Sequence, residues 1–248
     1  MKISIITAAY NSASTIADTL RSVAEQTHPD KEHVIVDGLS KDNTLSIIAQ
    51  FPHVAQCRSE KDKGIYDAMN KGLTMVTGDV VAILNSDDFY ENEFVLSKVA
   101  NAFEDPSVQV VYGDLVYIDP VKDNRITRYW KAGTYSASSF HYGWMPPHPA
   151  FFVRREVYEQ LGNFNASLTC SADYEIILRM LLKHRLKAVY LPETMVRMRE
   201  GGISNASLKH RWRANREDHK AWQLNGLKPY FFTLYLKPFR KIFQFVNK

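Results

Sequence analysis

Short apolar runs alternate with amphipathic stretches through the first half of the chain. Residues 3–9 form an apolar run that reads as a buried strand, and 14–26 follow with Ile16, Leu20, Val23 and Ala24 at helical spacing. A second strand is predicted over 33–37, then a helix carrying Ile47, Ile48 and Phe51 with Asp42 as its N-cap. A third strand is expected over 53–59. Ile65, Ala68, Met69, Leu73 and Val76 share one face of a helix over 65–76, and 80–84 is an all-apolar strand. A helix over 92–103 and a strand over 108–112 continue the rhythm. Strands separated by helical segments predict βαβ units and a mostly parallel sheet with helices on both faces.

The rhythm breaks after Gly113. Short strands are predicted over 115–118 and 128–130, and 134–149, rich in Tyr, Ser, His and Pro, reads as loop. Tyr174, Ile177, Leu178, Leu181 and Leu182 define a helix over 172–184, a strand follows over 188–198, and helices are expected over 206–224 and from 230 onward. The economical organisation is one α/β domain over 1–204 and a helical extension over 205–248. With 45% hydrophobic and 12% aromatic residues, the chain can fill a core and is not a disordered sequence. No apolar run approaches the roughly 18–20 residues of a membrane span. Cys57 and Cys170 fit no metal-ligand spacing and no disulfide framework, which predicts a reducing cytosol.

Charge changes this picture at one end. Residues 201–248 carry a net charge of +8, and the rest of the chain carries −4. Phe232, Tyr235, Leu236, Phe239, Ile242, Phe243 and Val246 form a helical apolar stripe, with Lys237, Arg240, Lys241 and Lys248 outside it. Pro238 divides it into two short helices. Such a face suits the anionic inner leaflet of the cytoplasmic membrane, as a peripheral contact. It equally suits packing on the body or on a second copy in a homo-oligomer. Nucleic acid is disfavoured, because no nucleic-acid motif accompanies the charge.

In open parallel sheets, ligands bind at the carboxyl ends of the strands. Three polar segments fall there: Thr7-Ala8-Ala9-Tyr10-Asn11, Asp37-Gly38-Leu39-Ser40 and Asn85-Ser86-Asp87-Asp88. Neither a dinucleotide-binding Gly-x-Gly-x-x-Gly nor a P-loop occurs, so a nucleotide would be held through carboxylates and a metal. Adjacent carboxylates after a buried strand are costly without cations or donors. A hard divalent ion with oxygen ligands, Mg²⁺ or Mn²⁺, would satisfy Asp87 and Asp88 and bridge to phosphates. An ordinary turn or helix cap is the structural alternative. Asp37 before Gly38 has the same alternative. Lys63 and Asn70 are further candidates to approach a nucleotide, and His148, held between Pro147 and Pro149, to touch a phosphate or acceptor. Glu175 reads as a helix-start acid. Arg197, Arg199 and Gly201-Gly202 offer either a phosphate-facing loop or a strand-end charge cluster.

Together, ISIITAAYN, VDGLSKDNT, EKDKGIYDAMNKGLTMVTGD, LNSDDFY, PHPAFFVRREVYEQLGNFN, SADYEIILRM and RMREGGIS resemble the family 2 glycosyltransferases of bacterial exopolysaccharide and O-antigen assembly. The resemblance runs in the family's order over about 200 residues. It implies a GT-A fold, with a Rossmann-like, mostly parallel sheet. It also implies an inverting transfer of a sugar from a nucleotide diphosphate sugar, by family habit UDP-linked, to a hydroxyl of a glycan or lipid-linked acceptor in cell-surface polysaccharide synthesis. Tyr10 would lie against the base and Asp37 would accept a hydrogen bond from it. Asp87 would bind the ribose or bridge to the metal, and Asp88 would coordinate Mn²⁺ or Mg²⁺ on the diphosphate. Asp173 occupies the position of the catalytic base. Relatives often carry Asp-x-Asp where this chain has Asn85-Ser86-Asp87-Asp88, so ligation would fall mainly on Asp88. Inversion requires a base opposite the leaving group, which agrees with Asp173 coming from a distant segment; it could also cap the following helix. The rivals are a sugar-phosphate nucleotidylyltransferase, whose Gly-rich basic loop is missing after the first strand, and a nucleotide-sugar-binding protein without transferase activity.

Overall fold

The computed structural model describes residues 1–122, 124–201 and 208–237, the side chains of 208–211 excepted. The chain runs β1 (Ile3–Ala9), α1 (Ile16–Ala24), β2 (Lys31–Asp37), α2 (Thr44–Ile48), β3 (Val54–Ser59), α3 (Ile65–Leu73) and β4 (Val80–Ile83). It continues through β5 (Phe89–Tyr90), α4 (Val95–Ala102), β6 (Val110–Asp119), β7 (Arg125–Trp130) and β8 (Phe151–Arg154). Helices α5 (Arg155–Leu161) and α6 (Ala172–Ile177), strand β9 (Ala188–Arg199) and helix α7 (Leu208–Leu224) complete it.

Among the described residues the strands form one nine-stranded sheet of order β3-β2-β1-β4-β8-β6-β9-β5, with β7 paired to β6. β1, β2, β3, β4, β6 and β9 share one direction, and β8 is inserted antiparallel between β4 and β6. β1 is buried along its whole length because both of its faces are covered. Ile6 and Ala8 join a core with α3, α5, α6 and α7, whereas Ile3 and Ile5 join a second core with α1 and α4. The expected α/β architecture with a mostly parallel sheet is the one observed.

Four local expectations change. The two strands predicted on either side of Gly113 are one strand, β6, whose pairing with β9 shifts register at 112–115. A Cβ on Gly113 would lie 2.4 Å from Met195 Cγ, so glycine marks a close approach at an irregularity and not a strand end. The helix expected over 172–184 is α-helical only to Ile177 and continues as a π-helical turn over Leu178–Lys183. β8 and α5 were not predicted: four residues of strand followed directly by two turns of helix leave too little periodicity to read. The N-cap of α2 is Asn43 and not Asp42, whose carboxylate accepts from Thr44 N at 3.0 Å from one position earlier.

The C-terminal extension is docked on the body as far as it is described. Trp222, with no exposed surface, donates Nε1–H to Tyr174 Oη at 2.9 Å. Lys237 Nζ pairs with Asp218 at 2.7 Å and lies 3.6 Å from the centre of the Tyr174 ring. Over 231–237 the buried side chains are Thr233 and Leu234, while Tyr235 of the predicted stripe is exposed. Phe239, Ile242, Phe243 and Val246 lie outside the described residues. No helix among those described is long and apolar enough to cross a membrane.

Helix α3 is pressed onto β1 at Gly72, where a Cβ would meet Ile6 Cγ2 at 2.4 Å. Gly72→Ala should gain about 1 kcal/mol of helix propensity but lose about 1–3 kcal/mol to overpacking. A net loss of stability in urea unfolding is expected, and a more stable variant would show that α3 can move off the sheet.

Candidate active site

The three polar segments expected at the sheet edge do converge there. Asn11, held at φ 49°, receives a hydrogen bond from Lys41 N on Oδ1 and donates its own N–H to Ser40 Oγ, both at 2.8 Å. Ser12 Oγ meets Ser86 Oγ at 2.8 Å, and Thr15 and Thr19 donate to the carbonyls of Ser86 and Asp88. The loops after β1, β2 and β4 are therefore fastened to one another by short polar side chains.

Tyr10 stands out from this edge at 60% exposure, a free aromatic face of the kind on which a base can stack. Beside it, a Cβ on Gly38 would meet Asp62 Oδ2 at 2.4 Å and Tyr10 Cδ2 at 3.3 Å. Gly38 thus lets the Asp62 carboxylate and the Tyr10 ring approach the backbone closely. Asp62 was missed in the sequence because it sits in a charged loop with no distinguishing period. Asp37 is fully buried, its carboxylate accepting from Ser40 N at 3.0 Å, Ser59 Oγ at 2.6 Å and Ser40 Oγ. Three donors leave the Asp37 carboxylate one acceptor site for a ligand N–H.

Asp87 and Asp88 differ sharply. Asp87 is partly exposed, and burial pushes its carboxyl upward. Asp88 has no exposed surface, and burial followed by the neighbouring Asp87 charge raises its carboxyl well above the usual range. Its Oδ2 accepts from Asn85 Nδ2 at 2.8 Å, while Oδ1 is buried with no partner. An orphaned oxygen of this kind is costly and fits a cation or proton. Of the two carboxylates, that of Asp87 is the one reachable from solvent. Among the described residues no group of three or more His, Cys, Asp or Glu could hold an ion. Two carboxylates would suit Mg²⁺ or Mn²⁺ only with phosphate oxygens and water completing the shell.

The strand-end arginines are a charge cluster. Arg197 makes a two-pronged contact with Glu91 at 2.7 and 2.8 Å. Arg199 donates to Asp87 O at 2.7 Å, pairs with Asp18, and stacks 5.0 Å from the Phe89 ring. Gly202 lies outside the described residues.

Asp173 sits in a second group of residues. Tyr66 Oη donates to Asp173 Oδ1 at 3.0 Å. The Tyr66 ring stacks on Phe164 at 5.9 Å, and His148 meets the same Phe164 ring edge-on at 5.4 Å. His148 is 8% exposed; burial lowers its ring below the usual value, opposed by the Asp173 charge. It is thus buried within reach of the Asp173 charge. Because β8 runs antiparallel to β4, the turn His148–Ala150 that precedes β8 begins at the carboxyl end of β4. Lys63 is exposed and its backbone N–H caps onto Asp67. Asn70 does different work from that expected. Its amide exchanges two 2.9 Å bonds with the backbone of Phe164, donating to O and accepting from N, so both ends are committed to structure. Glu175 is likewise structural, in a buried pair with Arg179 at 2.6 Å.

The chain matches the sequence profile described as Glycosyl transferase family 2 over residues 4–162. It is 31% identical over 208 residues to a PGL/p-HBAD biosynthesis glycosyltransferase of Mycobacterium bovis, with 82% of this chain and 78% of that one covered. The crystal structure of S. aureus TarS 1–349 superposes with a TM-score of 0.68 at 18% identity, covering 96% of this chain and 71% of the other. TarS 1–349 is also known in complex with UDP-GlcNAc. A mannosyltransferase from Pyrobaculum calidifontis, in complex with GDP-Man and Mn²⁺, superposes with a TM-score of 0.67 at 20% identity, covering 96% and 69%. These likenesses establish the GT-A fold.

A buried carboxyl that is raised in the folded chain holds its proton there while the unfolded chain has lost it. With divalent ions chelated, stability should therefore fall as pH rises from 3.8 toward the raised value of Asp88. Asp88→Asn should flatten that slope and hold or raise Tm at neutral pH. A Tm that drops in the variant would mean that the ionised pair is favourable in the fold.

Proposed function

The chain belongs to glycosyl transferase family 2, and from that premise we propose that it is an inverting, metal-dependent transferase acting on a nucleoside diphosphate sugar. The observation that carries the reading is the division of the sheet edge into two parts. One side offers the exposed Tyr10 ring beside Gly38 and the Asp87–Asp88 carboxylates. The other presents Asp173 on a separate element, its Oδ1 held by Tyr66 and its Oδ2 without a donor among the described residues.

In this reading the acceptor hydroxyl oxygen attacks the anomeric carbon while the bond from that carbon to the diphosphate oxygen breaks. The electron pair leaves with the diphosphate, the configuration inverts, and the acceptor proton passes to Asp173. A hydroxyl needs such a base, which contributes about 10²–10⁴-fold. Mn²⁺ or Mg²⁺ held by Asp87 and Asp88 would neutralise the charge developing on the leaving diphosphate. Tyr10 stacks the base, and Asp37 accepts a hydrogen bond from it.

UDP-GlcNAc in TarS and GDP-Man with Mn²⁺ in the Pyrobaculum enzyme support a nucleotide-sugar donor and a divalent ion. A glycan or lipid-linked acceptor in cell-surface synthesis extends the same reading, with the basic segment 228–248 meeting an anionic leaflet. Family membership favours transfer over nucleotidylyl chemistry and over silent binding.

UDP-, GDP- and dTDP-sugars tested with and without Mn²⁺ for thermal stabilisation and diphosphate release separate these terms, since a ligand of the folded state raises its stability. Asp173→Asn is expected to keep donor-dependent stabilisation and to lose turnover by about 10²-fold or more. Undiminished turnover in that variant removes Asp173 as the base, and turnover indifferent to EDTA removes the metal.

A further inference from the structure

The segment Lys63–Asn70 stood out in the sequence as a nucleotide contact, yet two of its side chains point elsewhere. Tyr66 and Asn70 are one helical turn apart on α3, and both act on the neighbourhood of Asp173. Asn70 fixes the backbone of Phe164 through two 2.9 Å bonds. The Phe164 ring carries Tyr66 on a stacked contact of 5.9 Å and His148 on an edge contact of 5.4 Å. Tyr66, 9% exposed, then directs its hydroxyl at Asp173 Oδ1, 3.0 Å away.

We infer that Tyr66 is a positioning residue for the base: its hydroxyl pins one oxygen of Asp173, so that the other is presented to the acceptor. This rests on the assignment of Asp173 in the transferase reading. Tyr66 is the only hydrogen-bond donor to Asp173 among the described residues, so its removal leaves the carboxylate free to rotate. The groups facing Asp173 are Tyr66 from α3 and His148 from the turn before β8, and Cys170, in the loop before α6, lies close to Tyr66. Burial, then the Asp173 charge, raise the Tyr66 hydroxyl well above its usual value, so it remains a donor throughout the working range. A hydroxyl that donates to a carboxylate favours the ionised form, the form that accepts a proton.

Tyr66→Phe keeps the ring, its stacking and its volume, and removes only the hydroxyl. The full chain, wild type and variants, is offered UDP-N-acetylglucosamine, UDP-glucose and GDP-mannose with Mn²⁺, and diphosphate release is followed from pH 5 to 9. Expected for Tyr66→Phe is a kcat about 10-fold lower with donor KM within about 2-fold, and an acid limb of the kcat profile moved to higher pH. Asp173→Asn and the double variant should be equally slow, because Tyr66 acts through Asp173. A purely structural tyrosine would change Tm and leave the acid limb where it was. That result, with Asp173→Asn inactive, leaves the base in place and overturns the inference. An active Asp173→Asn, or a wild type that releases no diphosphate from any of the three donors, overturns the assignment on which the inference rests.

Discussion

Strand β4 is bonded to a parallel neighbour, β1, on one side and to an antiparallel one, β8, on the other, and this change of direction assembles the functional edge. A parallel strand in position β8 would need its entry at the opposite end of the sheet, and the His148–Ala150 turn would lie far from Asp87 and Asp88. With β8 reversed, the chain enters the sheet at the carboxyl end of β4, beside the acids that β4 itself delivers. The four residues of β4 are wholly buried, Val81 and Ile83 in one core and Val80 and Ala82 in the other.

The acids gathered at this edge have been given different surroundings by the same backbone. Asp37 has three donors and no exposed surface, a satisfied carboxylate whose immediate task is to hold the loop after β2. Asp88 has one side-chain donor, Asn85, and its other oxygen is left for a proton or a cation. Asp173, half-buried, has one donor among the described residues, the Tyr66 hydroxyl. Chemistry here follows from how many donors each carboxylate lacks, more than from where acids occur in the sequence.

The C-terminal extension enters this scheme through Tyr174, the residue next to Asp173. Trp222 holds the Tyr174 hydroxyl and Lys237 covers its ring, so α7 and the segment after it brace the helix that bears Asp173. The charge carried beyond the body is thus tied to a well-packed anchor, and Glu217 adds to it by accepting from the backbone N–H groups of Cys170 and Ser171.

Sequence by itself determined the α/β class, the order of most elements, and the three polar segments at the strand ends. These are local signals: apolar period, strand length and the polar residues that follow a buried run. It also marked Asp87, Asp88 and Asp173 by motif. What it left unread was short or long-range. β8 and α5 are too brief to show a period, and Gly113 looked like a strand end when it marks a close approach of β9. Asn70 looked like a ligand contact because nothing in its neighbourhood reveals a partner at Phe164. The bond from Tyr66 to Asp173 spans 107 positions, and no local pattern encodes a pairing of that length. Only the closure of α3 against the sheet decided it, because hydrogen-bond partners are set by which surfaces meet, and that is a property of the packed chain.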